Sequence, residues 1–379
     1  YLNADGTYNM ELLDNCFTEL VLEKKLILKE IDGNQAVFLS TFYYTELNIA
    51  RMLLELNIST PEDDYILGVK MDTVEDMSGI HLDDLQRQAV VATQNNGVSI
   101  ITGGPGTGKT TTINAIIQLF ESDGLEVSLA APTGRAAKRM TEATGHEAKT
   151  IHRMLEISGG QSDDPELDAK FGRNEQNPLE TDVVIVDESS MIGCKLFRDI
   201  FTQVRPDATL IFVGDKDQLQ SIEPGQVFTD MIDSKVIPTT ILDHIFRQGQ
   251  NSMIPINAKL INEGNPKMIW NERDFQLIRI EGNDKMIEEE ISKKIPQIYE
   301  MNYENREYSD VQLLSPLRKK FSRSGKVALT STEYLNPVIR DLINPYATPD
   351  SKEYVETYGK RFYMGDKVLE TSNSNINGI

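Results

Sequence analysis

The residues best suited to chemistry are Gly103, Gly104, Pro105, Gly106, Thr107, Gly108, Lys109 and Thr110, followed by Thr111. They fit the spacing glycine, any four residues, Gly-Lys-Thr. A short β-branched run, Val98-Ser99-Ile100-Ile101-Thr102, precedes them, and a helical pattern starting at Thr111 follows. Strand, glycine-rich loop and helix in that order make a phosphate-binding loop rather than a chance turn. Glycines let several backbone N–H groups face one anion, and the helix N-terminus adds partial positive charge. Lys109 suits the β- and γ-phosphates of a nucleoside triphosphate, and the Thr110 hydroxyl suits Mg²⁺.

A second constellation completes such a site. Val183-Val184-Ile185-Val186 reads as a buried strand, and Asp187 and Glu188 stand at its C-terminal end, where parallel sheets bind ligands. Asp187 suits Mg²⁺ and Glu188 the polarisation of an attacking water. Leu210-Ile211-Phe212-Val213 is another buried strand, ending in Gly214-Asp215-Lys216-Asp217-Gln218. Gln218 is a candidate sensor of the γ-phosphate. Leu129-Ala130-Ala131 leads to Thr133-Gly134-Arg135, a helix start able to grip a phosphate of either a nucleotide or a nucleic acid.

These residues need a sheet to hold them. Strands at 98–102, 127–131, 183–186 and 209–213 alternate with helical stretches such as 134–143 and 193–204, the pattern of a parallel α/β sheet covered on both faces. Residues 1–80 read as mostly helical, with a turn at Asp32-Gly33-Asn34 between two short apolar segments: a helix-plus-hairpin unit of winged-helix type, which touches DNA or only packs. Helix resumes over 44–56. Residues 159–178 read as a surface excursion. After Arg247 come helices at 252–261 and 285–299 and the first strand of a second sheet at 311–314. The cations at 318–326 form a basic loop, a solvated face or a phosphate contact.

Composition bounds the class. Thirty-eight basic against 59 acidic residues give a net charge of −21 in a 379-residue chain, which on its face disfavours nucleic acid. The excess is uneven: residues 1–96 hold 6 basic and 17 acidic groups, residues 305–379 hold 11 and 9. The charge balance is therefore weak testimony against DNA. At 39% hydrophobic and 26% charged residues the chain reads as globular, with no membrane span or membrane partner. Cys16 and Cys194 lie far apart without metal spacing, which fits a reducing cytoplasm; Cys194 reads as a small core residue. The chain begins at Tyr1 rather than Met and ends in Asn377-Gly378-Ile379, which suggests a fragment.

In order, the motifs resemble the RecD-like branch of superfamily 1 DNA helicases, a branch shared with the helicase part of TraA-type relaxases. Leu82 to Val90 is similar to its adenine-reading motif, with Gln86 as reader. Residues 103–111 are similar to its first motif. Ala131 to Ala137 resembles the motif that touches DNA, implicating Thr133 and Arg135. Thr150-Ile151-His152-Arg153-Met154-Leu155 is similar to its Thr-Ile-His stretch; His152 there reads as a positioned core or backbone-contact residue. Asp187 to Met191 resembles motif II, Gly214 to Leu219 motif III, and Ile245-Phe246-Arg247-Gln248 motif IV, whose Arg247 is the arginine finger. Leu314-Ser315-Pro316 and Gly365-Asp366-Lys367-Val368 resemble later landmarks.

The resemblance implies a RecA-like P-loop domain over 81–250, preceded by the helical domain 1–80 and followed, over 251–379, by linking helices and part of a second RecA-like domain. It implies ATP and Mg²⁺ as cofactors, single-stranded DNA and duplex junctions as partners, and ATP-driven 5′-to-3′ movement in DNA repair or recombination. Its catalytic set is Lys109, Glu188, Gln218 and Arg247. Alternatives are a nucleotide-operated subunit of a RecBCD-type complex, acting with other recombination subunits, and the helicase module of a relaxase. The branch has Pro where this chain has Gln220, and Met-Asn where it has Leu317-Arg318. Its last two motifs, a His-Lys-x-x-Gly type and a terminal Thr-Arg pair, do not follow Val368. The expectation is a polypeptide that binds nucleotide better than it turns it over and does not unwind DNA unaided.

Overall fold

The computed structural model describes residues 7–156, 177–244 and 252–265, and shorter stretches between 267 and 368. Residues 159–176 of the surface excursion, the segment 245–248 with Arg247, most of 285–299, Pro316, residues 319–326 of the basic loop and Lys367 lie outside them. The chain divides into two units, residues 1–275 and 276–379.

The first unit opens with α1 (Met10–Leu22), no residue of which is buried. Lys24, at φ 58°, turns the chain out of the helix. The antiparallel hairpin β1 (Leu26–Ile31) and β2 (Asn34–Leu39) follows. Its two-residue turn, Asp32-Gly33, has positive φ at both positions, the geometry that matches strand twist. The helix that follows, α2 (Ser40–Leu56), starts four residues earlier than its apolar stripe suggests. Next are α3 (Asp64–Ser78) and α4 (Asp84–Asn95).

The expected parallel sheet is present and has six strands among the described residues: β3 (Val98–Gly103), β4 (Val127–Ala131), β5 (Ala148–Thr150), β6 (Val183–Val186), β7 (Thr209–Gly214) and β8 (Thr239–Leu242). Every pairing is parallel, and the spatial order is β5-β4-β6-β7-β3-β8. β7 therefore lies between the strand that ends in the phosphate loop and the strand that ends in the two acids. Connecting helices are α5 (Lys109–Ser122), α6 (Gly134–Thr144), α7 (Ile151–Met154), α8 (Cys194–Gln203) and α9 (Val227–Ser234).

Both faces of the sheet are buried, and the strands sort their side chains with a period of two. Val98, Ile100, Val184, Val186, Leu210 and Phe212 enter one core, with Ile49 and Leu53 of α2 and Phe197 and Phe201 of α8. Phe197, Phe201 and Phe212 pack together there with centroids 5.2–6.2 Å apart. Ile101, Val183, Ile185, Ile211 and Val213 enter the other core, with Leu67 and Met71 of α3, Ala89 of α4 and Ile113 and Ile117 of α5. Helices α2 and α3 thus cover the sheet from opposite sides.

After β8 comes α10 (Met253–Asn262). Its buried Asn257 bonds the Ile269 backbone in both directions, and Trp270 packs on Phe275 at 5.5 Å. In the second unit, residues 312–315 are not in a strand. Its described elements are the helix Thr332–Ile343 and the antiparallel hairpin β9 (Tyr354–Thr357) and β10 (Lys360–Tyr363). Asp366 closes that hairpin, accepting from the Tyr363 N–H at 2.8 Å and from Asn344 Nδ2 at 2.6 Å.

Gly97 joins α4 to β3 at a point of close approach. Its N–H donates to the Ile58 carbonyl, and a Cβ there would stand 2.0 Å from the Leu56 carbonyl oxygen. Backbone meets backbone, so no side chain can turn away. Gly97→Ala is expected to destabilise the chain by about 2–3 kcal/mol, read as a lower urea midpoint with unchanged slope.

Candidate nucleotide site

The loop after β3 is shaped by its glycines. A Cβ on Gly103 would stand 2.6 Å from the Leu242 carbonyl oxygen and 2.6 Å from Thr107 Oγ1. Gly106 and Gly108 take φ of 80° and 85°, a conformation that costs glycine little. Gly108 is then the N-cap of α5 and Lys109 its first residue. Thr107 Oγ1 donates to the Gly104 carbonyl at 2.9 Å. The Lys109 ammonium folds over the loop and donates to the carbonyls of Gly103 and, at 3.1 Å, Gly104. Pro105 and Thr110 are exposed, and Thr111 is half-buried.

The acids stand two strands away. The Asp187 N–H donates to the Ala130 carbonyl at 2.9 Å, extending the β6–β4 pairing. Asp187 Oδ1 accepts the Glu188 N–H at 2.8 Å. Glu188 adopts φ 53°, ψ 37° and leads into a single 3₁₀ turn, Ser189–Met191. Left-handed backbone in a residue other than glycine is uncommon and is held only where its surroundings fix it. Burial pushes the Asp187 carboxyl above its ordinary range, against the Glu188 N–H and the Lys109 ammonium. Burial also raises Glu188; Asp187 and Asp215 add to the rise, while Lys109 and Arg139 oppose it. The structure therefore brings Lys109, Asp187 and Glu188 within electrostatic reach of one another.

The remaining predicted residues divide. Gln218 is exposed in the loop after β7, its N–H bonded to the Asp215 carbonyl at 3.1 Å. That loop is tied to β3 by the Lys216 N–H, which donates to Thr102 Oγ1 at 3.0 Å. Gln86 is only 2% exposed. Thr133 caps α6, accepting from the Ala136 N–H at 3.2 Å, with Arg135 exposed beside it. His152 is exposed on α7, where Ile151, Met154 and Leu155 take the buried positions; of the two roles the sequence suggested, core or backbone contact, the core one does not hold, because the short helix turns its apolar side to the sheet. Arg247 lies outside the described residues.

Two groups that face Glu188 were missed in the sequence. Asp215 is buried at 4% exposure, and its Oδ1 accepts the Asp217 N–H at 3.0 Å. Arg139 is exposed, one turn after Arg135 on α6. The signals were a carboxylate directly after a buried strand and an i, i+4 pair of arginines on one helix face. Cys194 is a core thiol as expected: fully buried, with burial pushing its pKa up to about 11. A recess of about 490 Å³ on α4, lined by Asp84, Arg87, Gln88 and Asn95 among others, includes none of the loop or acid residues. No helix among the described residues is long and apolar enough to cross a membrane.

A buried carboxylate with a raised pKa binds its proton more tightly in the folded than in the unfolded chain. Stability must then fall as pH rises through that raised pKa. Asp187→Asn removes this cost. The variant is expected to unfold at a higher urea concentration than the parent near pH 7.5, and the difference should close below the ordinary carboxylate range, near about pH 4.

The AAA domain family matches residues 81–282 of this chain. The ATP-dependent RecD2 DNA helicase of Deinococcus radiodurans is 33% identical over 297 residues, covering 78% of this chain and 37% of the relative. The RecBCD enzyme subunit RecD of Mycobacterium tuberculosis is 38% identical over 173 residues, covering 40% and 29%. The chain thus spans about a third of the length of these relatives. Among solved structures, the Pif1 helicase of Candida albicans overlaps 65% of this chain and 52% of that chain at 21% identity and a TM-score of 0.38, too loose a match to argue from. On its motifs, its parallel sheet, the family match and the two relatives, the chain belongs to the AAA domain family, in the RecD-like branch of the superfamily 1 helicases.

Proposed function

We propose that this chain is the ATPase core of an ATP-dependent DNA helicase or translocase that moves 5′ to 3′ on single-stranded DNA and acts in DNA repair or recombination. The observation that carries the reading is the convergence of Lys109, Asp187 and Glu188 at the C-terminal ends of the central strands, with Asp215 from the intervening strand. The Deinococcus radiodurans relative is a DNA helicase; the direction rests on the family resemblance alone. Residues 81–250 are proposed as the first RecA-like domain, residues 1–80 as the helical domain before it, and residues 251–379 as linking helices and part of a second RecA-like domain.

The residues suit ATP and Mg²⁺. The loop offers α5's N-terminus and a lysine already turned over its carbonyls. Asp187 offers a buried carboxylate whose charge burial disfavours, an arrangement a divalent cation relieves. Thr110 and Asp187 would hold Mg²⁺, which when bound offsets phosphate charge. Residues 103–111 cradle the phosphates, with Lys109 leaving its loop carbonyls for the β- and γ-phosphate oxygens. Glu188, with its raised pKa, polarises the attacking water. Gln218 reports the γ-phosphate, and Arg247 supplies the arginine finger. Thr133, Arg135 and His152, all exposed along one side of the sheet's β4–β5 end, are proposed to meet DNA. The site works in the cytoplasm, where its DNA partner resides.

A second reading is favoured by the RecBCD subunits among the relatives: the chain acts within a complex with other recombination subunits, and duplex junctions reach it through them. Lys109→Ala is expected to lower single-stranded-DNA-stimulated ATP hydrolysis by about a hundredfold or more; retained hydrolysis would refute the assigned site. DNA affinity should fall steeply between low and moderate salt, since phosphate contacts release counterions. A flat salt response in a fluorescence-anisotropy titration would favour the complex-subunit reading.

A further inference from the structure

The arginines described in the first unit fall into two sets. Arg51, Arg87, Arg198 and Arg205 each hold a carboxylate at 2.7–3.7 Å. Arg135, Arg139 and Arg153 are exposed and hold none among the described residues. All three stand on α6 and α7, the helices that follow β4 and β5. In a chain with 59 acidic and 38 basic residues, an arginine without a carboxylate is available to another anion.

Helix α6 sets two of them in line. Ala137 and Met140 take its buried positions, which leaves Arg135 and Arg139, four residues apart, together on the outer face. Glu142 does not neutralise Arg139, because it pairs with Lys138 at 3.9 Å. The helix also starts beside the acids. The Ala130 carbonyl accepts the Asp187 N–H at 2.9 Å, and only Ala131, Pro132 and the cap Thr133 separate Ala130 from α6. Accordingly the Arg139 charge reaches Glu188, where Arg139 and Lys109 are the cations set against Asp187 and Asp215. Arg139 thus stands between two anions: the DNA phosphate proposed for Arg135 and the Glu188 carboxylate.

We propose that Arg139 is a positioning residue that restrains Glu188 until DNA is bound, and that a DNA phosphate on α6 takes Arg139 and releases Glu188 to the attacking water. The inference rests on the ATPase and DNA-contact readings above. With ATP bound, Lys109 turns to the phosphates and Arg139 remains as the cation acting on Glu188. Once released, Glu188 accepts one proton from the water. The water oxygen bonds the γ-phosphorus as the bond to the β–γ bridging oxygen breaks, leaving ADP and phosphate. A pair of exposed charges interacts weakly, so the restraint changes the rate by a small factor and is not all or none.

The test measures ATP hydrolysis by the full chain, Arg139→Ala and Arg139→Lys, each without and with saturating oligothymidylate, with thermal unfolding as a check on folding. Arg139→Ala should raise the DNA-free kcat by about threefold and keep KM for ATP within about twofold. Its kcat with DNA should match the parent, so the stimulation factor falls by about the same threefold. The gain should shrink at high salt, which screens exposed charges, and Arg139→Lys, which keeps the charge, should behave as the parent. An unchanged or lower DNA-free kcat in a folded Arg139→Ala chain would overturn the inference, and weakened DNA binding alone would make Arg139 a plain DNA contact. A parent chain that neither hydrolysed ATP nor bound trinitrophenyl-ATP would overturn the ATPase reading and this inference together. A parent stimulated by DNA beside an Arg139→Ala chain of equal rates would overturn this inference alone.

Discussion

Two adjacent carboxylates kept partly out of water are the constraint on which the rest of the unit depends. Asp187 and Glu188 end a strand whose four residues are fully buried. Burial raises both carboxyls, and Asp187 and Asp215 raise Glu188 further. Charges so placed demand a rigid frame, because an uncompensated buried charge is relieved by any motion that lets water in. The frame is the parallel sheet, with helices on both faces and residues alternating between two cores. The left-handed backbone at Glu188 is tolerated for the same reason: the Ser189 hydroxyl bonds back to the Val186 carbonyl at 2.8 Å and closes the turn.

The strand order turns this frame into a site. Loop and acids are adjacent in neither sequence nor strand order. Because β7 lies between β3 and β6, its own loop fills the gap, and it contributes Asp215 to the field at Glu188 while Thr102 pins that loop to β3. Gly214 makes the approach possible: a Cβ there would stand 2.9 Å from Phe228 and 3.2 Å from the Ser190 nitrogen. The loop beside the acids is thus packed from below by α9. Stability and function pull against each other here, a common feature of sites that hold charge in place.

Much of this was legible in the sequence, and the exceptions have physical causes. The four central strands could be read because each is a short apolar run buried on both faces. Strands β5 and β8 could not: they have three and four residues, and the composition of Ala148-Lys149-Thr150 and Thr239-Thr240-Ile241-Leu242 does not mark a buried run. The covering role of α2 and α3 was hidden because an apolar stripe shows that a helix packs but not on what. At the site, the spacing of Gly103 to Thr110 and the pair at 187–188 carried the phosphate chemistry. Asp215 was quoted without a role because its burial comes only from the fold. Gln86 was legible from its motif alone, while its 2.9 and 3.3 Å bonds to the Asp83 N–H and the Gly108 carbonyl arise only in the fold.

The central claim is that the raised Glu188 carboxylate activates water beside a nucleotide held by Lys109 and Asp187. The direct measurement is Glu188→Gln in the full chain, with Mg-ATP binding and ATP hydrolysis measured side by side. The account predicts binding within about threefold of the parent and hydrolysis reduced by about a hundredfold or more. Hydrolysis at the parental rate would contradict it.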